Sequence, residues 1–238
     1  MRAWVVGACL LSVSVVAEGA PPAKTPPPEK EPQEQETLSR PERQWRWIRE
    51  ATDDTCREQL AQTKAKFHPL RDREKPDAKG CGIPRGVLLR TGPTGVRYSP
   101  PIQIDCSFAL RLAEIETVIQ EEVKQHFDSE VVKLGTLGSY ACRGVIGWLR
   151  GWSGGISEHS FGNAVDITHF DLKNGRRISV LRHYPRDRGP AETNEAIFLR
   201  SVVRRVRRDL DLRALSPDFD VSHRDHLHFD AGSRWWRP

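Results

Sequence analysis

"SEHSFGNAVD" (residues 157–166) and "HRDHLHFD" (residues 223–230) hold four of the eight histidines in this chain. The first stretch sets His159 seven residues before Asp166. Neighbours on a helix face recur at three and four residues, so this spacing suits a histidine at a turn and an aspartate on the strand that follows. Gly162 permits the tight turn between them, and Ala164 keeps the approach uncrowded. In the second stretch His226 and His228 are two residues apart, which on a strand places them on one face. Neutral imidazole and carboxylate are zinc ligands, and three protein ligands with one open position is the catalytic arrangement of zinc. Zinc held in that way lowers the pKa of water to roughly 7, and a neighbouring base can take the proton. Each piece alone is a weak signal: a lone histidine is more often a surface or core residue, and Asp166 alone reads as a turn residue. Together, four ligand-type residues in converging strand and turn contexts favour a metal site, without naming a reaction.

Outward from these stretches, strand and helix patterns are mixed. "AVDITHFDL" and "RRISV", joined by Lys173-Asn174-Gly175, read as a hairpin with an Asn-Gly turn, with His169 and His183 as exposed histidines near it. "HLHFDA" is a final strand, "GCGIPRGVLLR" a turn and strand, and "VVKLGTLGSYACR" a strand interrupted by glycines. Residues 105–127 are the clearest helix, with Phe108, Leu112, Ile115, Ile119 and Val123 on one stripe and Asp105 able to cap its start. Residues 194–210 form a second amphipathic helix with Leu199, Val203, Val206 and Leu210 inward. Its arginines (Arg200, Arg204, Arg205, Arg207, Arg208) lie mostly outside that stripe and read as a solvated face. Residues 42–67 read as one or two helices, broken near Thr52 or Asp53. Residues 144–155 read as a glycine-rich loop, with Trp148 and Trp152, that leads into the first motif. With no βαβ alternation, the expected fold class is α+β: a small antiparallel sheet flanked by helices.

The chain has 238 residues, which favours one domain plus tails, and 37% hydrophobic residues with seven Trp and eight Phe suffice for a core. Mean hydropathy is −0.57 and the pI about 9.1; the net charge of +5 suits an anionic partner. The N-terminus, "MRAWVVGACLLSVSVVAEGA", has Arg2, an apolar run and small residues at the end, which is the pattern of a secretory signal peptide over residues 1–19. Cys9 lies inside the apolar run, which favours removal over lipidation. Residues 20–43, rich in Pro, Glu, Lys and Gln, read as a solvated linker, and residues 44–238 as the folded domain. Export argues against nucleic acid as the partner, and no membrane span is expected after cleavage. Cys56, Cys81, Cys106 and Cys142 then form an even set in an exported chain, read as two disulfides with three possible connectivities. No C-x-x-C pair occurs, so a four-cysteine zinc site is not expected.

Ser157-x-His159-x-x-Gly162-x-Ala164-x-Asp166 matches the signature of D-Ala-D-Ala metallopeptidases, and His223-x-x-His226-x-His228 resembles the closing motif of penicillin-insensitive murein endopeptidases. Both belong to the group that also holds lysostaphin-type peptidases and the hedgehog signalling domain. More closely, the order of Cys56 with Leu60, Gly80-Cys81-Gly82, Cys106, Ser139-Tyr140-Ala141-Cys142-Arg143 and the two histidine stretches resembles the bacterial extensin-like C-terminal domain family, over roughly residues 52–232. The chain departs from it in lacking a cysteine in residues 202–208. The resemblance implies a hedgehog/D-Ala-D-Ala peptidase-like fold, with His159, Asp166 and His228 as ligands of a Zn2+ cofactor. It implies His226 or Asp225 as the base; a regular strand would turn Asp225 away, which favours His226. His223 would orient water or substrate, and Arg143 and Ser157 would hold a substrate carboxylate or oxyanion. The bland readings of those two are a surface ion pair and a turn hydrogen bond. Asp230 would support a ligand from behind. The expected disulfides are Cys56–Cys81 and Cys106–Cys142. The function implied is an exported zinc peptidase of the periplasm or cell envelope, monomeric, hydrolysing peptidoglycan stem peptides as a carboxypeptidase or endopeptidase. The alternatives are a non-catalytic metal-containing wall-binding module and a structural wall protein. The latter is disfavoured by the short, unrepeated linker.

Overall fold

The computed structural model describes residues 40–51, 54–77, 79–145, 156–185 and 188–232. The expected leader, the linker up to residue 39, and Trp148 and Trp152 lie outside these residues. Two helices come first, α1 (Arg40–Ala51) and α2 (Cys56–Ala61), so helix begins two residues ahead of the segment read as helical from 42. The apolar pattern at Lys66–Pro69 is not a continuation of that helix but an edge strand, β1. Strands β2 (Gly86–Thr91) and β3 (Arg97–Asp105) follow as an antiparallel pair.

β3 runs directly into helix α3 (Cys106–Phe127), and the Asp105 carboxylate caps it by accepting the Ser107 N–H at 2.9 Å. The stripe read from the sequence is the buried one: Phe108, Leu112, Ile115, Ile119 and Val123 are all at most 1% exposed. The chain returns as β4 (Val131–Gly138), which lies beside β3 in parallel. This overturns the expectation of an all-antiparallel sheet. Parallel neighbours need a crossover of a dozen or more residues, and the 22-residue α3 is that crossover.

β5 (Ala164–Leu172) pairs antiparallel with β4, with the short β6 (Arg177–Ser179) along its C-terminal half and β8 (Leu227–Asp230) along its N-terminal half. Helix α4 (Val180–His183) and helix α5 (Asn194–Asp209) lead to β7 (Arg213–Leu215), which flanks β8. The result is an eight-stranded mixed sheet in the order β1-β2-β3-β4-β5-β8-β7, with β6 beside β5. Helices α3 and α5 pack on one face, where Phe198 of α5 meets Phe170 of β5 edge-on at 5.1 Å. The α5 arginines are tied internally: Arg200 to Asp218, Arg204 to Ser201, Arg205 to Glu121 and Glu122, Arg207 to the Ala214 carbonyl, and Arg208 to Asp209.

The disulfides are Cys56–Cys106 and Cys81–Cys142, not the pairs expected from sequence order. Cys56 opens α2 and Cys106 opens α3, and these two helix starts lie side by side. Cys81 instead meets Cys142, because the segment 139–143 is drawn against the turn that carries His159. Among the described residues, no helix is long and apolar enough to cross a membrane.

Candidate metal centre

His159 sits in a 3-10 turn, Glu158–Phe161, that ends on Gly162 with φ of 64°. A Cβ at Gly162 would lie 2.8 Å from Ile83 Cγ2 and 2.9 Å from the Asp105 nitrogen, so both conformation and space demand glycine. The turn delivers the chain into β5, where Asp166 stands directly opposite His228 of β8. Directly opposed residues share a face of the sheet, so these two side chains are neighbours by register.

A bulge brings Asp166 to the correct face. Val165 and Ile167 are core residues, and so are Phe170 and Leu172, which breaks strict alternation along β5. The pairing with β4 slips by one residue between Ile167 and His169, leaving Thr168 as the extra residue. Asp166, His169 and Asp171 therefore share the face away from α3 and α5.

There, His159 Nε2 lies 3.1 Å from His228 Nδ1 and 3.3 Å from Asp166 Oδ2, and His228 Nδ1 lies 2.8 Å from Asp166 Oδ1. Tetrahedral zinc with Zn–N near 2.0–2.1 Å separates its ligand atoms by roughly 3.3 Å, so the spacing fits. The far nitrogens are also committed. His159 Nδ1–H donates to the Ser139 carbonyl at 3.1 Å, and His228 Nε2–H donates to Asp230 Oδ2 at 2.5 Å. Each ring, when neutral, thus turns a lone pair inward beside a carboxylate, which is the donor set of a cation. Burial would lower the His228 pKa, yet hydrogen bonds to Asp166 and Asp230 raise it to about 9. Burial would raise Asp166, but the hydrogen bonds from His159 and His228 hold it well below the usual carboxylate range. A proton on His228 occupies the place a metal would take.

Two further histidines flank this cluster. His226 precedes β8, with Nδ1 at 2.9 Å from Asp225 Oδ1 and Nε2 at 3.6 Å from Asp166 Oδ1. Asp225 therefore orients His226. His223 is held in the same way by Asp220, at 2.7 Å, and its ring stands 5.2 Å from that of His226 and 5.8 Å from that of His228. Burial keeps His223 below its ordinary pKa and so in the neutral form, against the pull of Asp220. Asp220 was not singled out from the sequence, although its Asp-x-x-His spacing across a turn was the available signal.

Ser157 caps the His159 turn, its Oγ accepting the His159 N–H at 3.4 Å. The contact uses the hydroxyl oxygen as an acceptor and leaves its O–H to donate elsewhere. Arg143 N–H donates to Ser160 Oγ at 3.0 Å, while its guanidinium donates to the Gly144 carbonyl at 3.3 Å and meets no carboxylate among the described residues. Ser160, fully buried and passed over in the sequence, stitches 141–143 to the turn through the Ala141 and Arg143 carbonyls.

Behind the cluster, Asp230 is also held by Arg213 at 2.8 Å and by the Gly232 N–H. Glu158 accepts from Gln44 of α1 and Asn163, both at 2.7 Å, and burial together with Asp230 pushes its pKa to about 7. His169 and His183 are half-buried rather than exposed. His169 lies across Gly135, and His183 Nδ1 accepts the Ser179 N–H at 2.9 Å. Asp77, Cys81 and Cys142 also cluster, but the disulfide consumes both thiols.

Residues 54–237 match the family model described as "Extensin-like protein C-terminus". No curated protein and no solved structure matches the chain.

Proposed function

The chain belongs to the extensin-like protein C-terminus family, and we propose that it is an exported zinc-dependent peptidase acting on peptidoglycan stem peptides, as a carboxypeptidase or an endopeptidase. The observation that carries this reading is the inward convergence of His159 Nε2, His228 Nδ1 and the Asp166 carboxylate, each imidazole fixed from behind by an acceptor. The motif likeness to D-Ala-D-Ala metallopeptidases, and through it the hedgehog/D-Ala-D-Ala peptidase-like fold, belongs to the same proposal.

His159, Asp166 and His228 would hold the ion, which supplies a Lewis acid for a peptide carbonyl and lowers the pKa of water. The chain's own residues do the rest. Asp225 accepts His226 Nδ1–H, which leaves the His226 Nε2 lone pair facing the cluster. His226 is thus the group that takes a proton from the attacking water and returns it to the leaving amine. His223, neutral and steered by Asp220, offers a second nitrogen for water or substrate. Arg143, without an acidic partner among the described residues, is free to bind a stem-peptide carboxylate. Peptidoglycan, or another anionic wall polymer, is the partner in this reading, the protein acts as a monomer, and the periplasm or cell envelope is the place.

Digestion of purified peptidoglycan, with products separated and weighed, tests the proposal. Released D-Ala or opened cross-links, lost on chelation and in His226→Ala, is the expected result. Stoichiometric zinc with no product from any wall preparation would overturn it in favour of a metal-containing wall-binding module.

A further inference from the structure

The face that carries the metal centre also carries a row of charge at its other end. Lys66 pairs with Thr91, Thr91 with Arg97, Arg97 with Lys133, Lys133 with Asp171, and Asp171 with Arg177. Residues opposed in register share a face, so these six side chains run in one line across β1, β2, β3, β4, β5 and β6. Four are cations and one is an acid. Asp171 binds Lys133 at 2.7 Å and Arg177 at 2.5 Å, which places these three on one side and leaves the row net positive. Among the described residues, no ion pair engages Lys66 or Arg97. The face is open here: Arg97 and Arg177 are exposed and Lys133 is half-exposed.

The row and the metal centre are joined by a flat floor. A Cβ on Gly135 would lie 1.8 Å from His169 Cε1, so glycine at this point lets the His169 ring lie across β4. His169 sits between Asp166 and Asp171 on the same face of β5. Five residues of strand separate those aspartates, or roughly 15 Å.

We propose that this open face is a track for an extended acidic peptide, one end at the metal centre and a carboxylate group about five residues away on the Arg97–Lys133 row. Charge complementarity selects the occupant: a carboxylate exchanges its water for cations that Asp171 only partly neutralises. The placement of the peptide's other end rests on the peptidase reading. The row itself does not.

The test uses the full chain, a fluorescent alanine decapeptide bearing three adjacent glutamates, and its glutamine counterpart. Binding by anisotropy at low salt, with zinc-loaded and with chelator-treated protein, should favour the glutamate peptide. Arg97→Glu should weaken it about tenfold, since an exposed charge pair is lost and reversal adds repulsion. Arg182→Glu, an equal charge change on exposed helix α4, should leave it unchanged. Equal losses in both variants would mean net charge alone is sensed and would overturn the track, as would tighter retention of alginate, a carboxylated glycan, than of the peptide. Binding as expected with no cleavage of any peptide keeps the track and removes the peptidase. Cleavage whose KM is untouched by Arg97→Glu keeps the peptidase and removes the track.

Discussion

Glu116 and Asp166 are both buried carboxylates, one on helix α3 and one on the open face of the sheet. Burial raises Glu116, and the hydrogen bonds from Thr94 and Tyr98 recover only part of that cost. At Asp166 the two facing imidazoles reverse the outcome and keep the group ionised. The helix side therefore uses a carboxyl as an internal tie between the β2–β3 turn and α3. The open side uses one as a charge that must be answered. Each side has its own brace as well, Cys56–Cys106 beneath the helices and Cys81–Cys142 beside the His159 turn. The two carboxylates differ in their partners: hydroxyls and a backbone N–H at Glu116, two imidazoles at Asp166.

The largest test of this contrast is His228→Ala, which removes one proposed ligand from the open side and nothing from the hydrophobic core. Bound zinc, measured by elemental mass spectrometry after dialysis, should fall from about one per chain to near zero, and the urea midpoint of the chelated protein should also fall at neutral pH, because the buried imidazole no longer answers Asp166 and Asp230. Retention of stoichiometric zinc would show that the three-residue cluster is not the site.

The braces come next. Sequence separations of 50 and 61 residues predict about 4 kcal/mol from each disulfide in the chain-entropy description. The paired serine variants should lose comparable unfolding free energy in urea. Zinc affinity should drop for the Cys81/Cys142 pair alone, because Ala141 and Arg143 carry backbone bonds to the His159 turn. Equal zinc affinity in both would erase the distinction.

A smaller effect lies behind His228. Asp230→Asn should weaken zinc roughly 10–100-fold, the usual cost of losing the partner of a ligand histidine, as read by competition with a chromogenic chelator. The same cluster sets a pH signature for the metal-free protein. The folded-state pKa of His228 stands above its ordinary value, so its contribution is complete below about pH 6.5 and is lost as pH rises through about 9. Urea midpoints of chelated protein should decline across that window, and zinc-loaded protein should not follow.

Glu116→Gln is the mildest. Its raised pKa means its contribution is greatest below the ordinary carboxylate range and is lost as pH rises through the folded value. The variant should flatten that part of the stability profile at a cost of about 1 kcal/mol for the altered hydrogen bonds to Thr94 and Tyr98, without touching zinc content. A change in zinc affinity here would join two clusters that the packing keeps apart.

The residues of the candidate site were legible because their signals are local. Ser157 to Asp166 is a turn and a strand start, its glycine demanded by φ and by space, and the α3 stripe is a 3.6-residue period with an aspartate at its head. What escaped was set by distant partners. Cys56–Cys106 depends on α2 packing against α3, and Cys81–Cys142 on segment 139–143 lying against the His159 turn. The parallel pairing of β3 with β4 depends on α3 crossing back over the sheet.

The amino-acid order by itself determined which side chains could hold a metal, where the two long helices run and which of their faces is buried. Only the tertiary structure decided that Asp166 faces His228. The bulge at Thr168 shifts β5 by one residue and carries Asp166 from the core side to the open side, and the β5–β8 register then sets the pair in contact. The physical reason is range. Turn, cap and periodicity act over a few residues, whereas a strand's facing is set by neighbours that the chain reaches only after folding, and one extra residue is enough to reverse it.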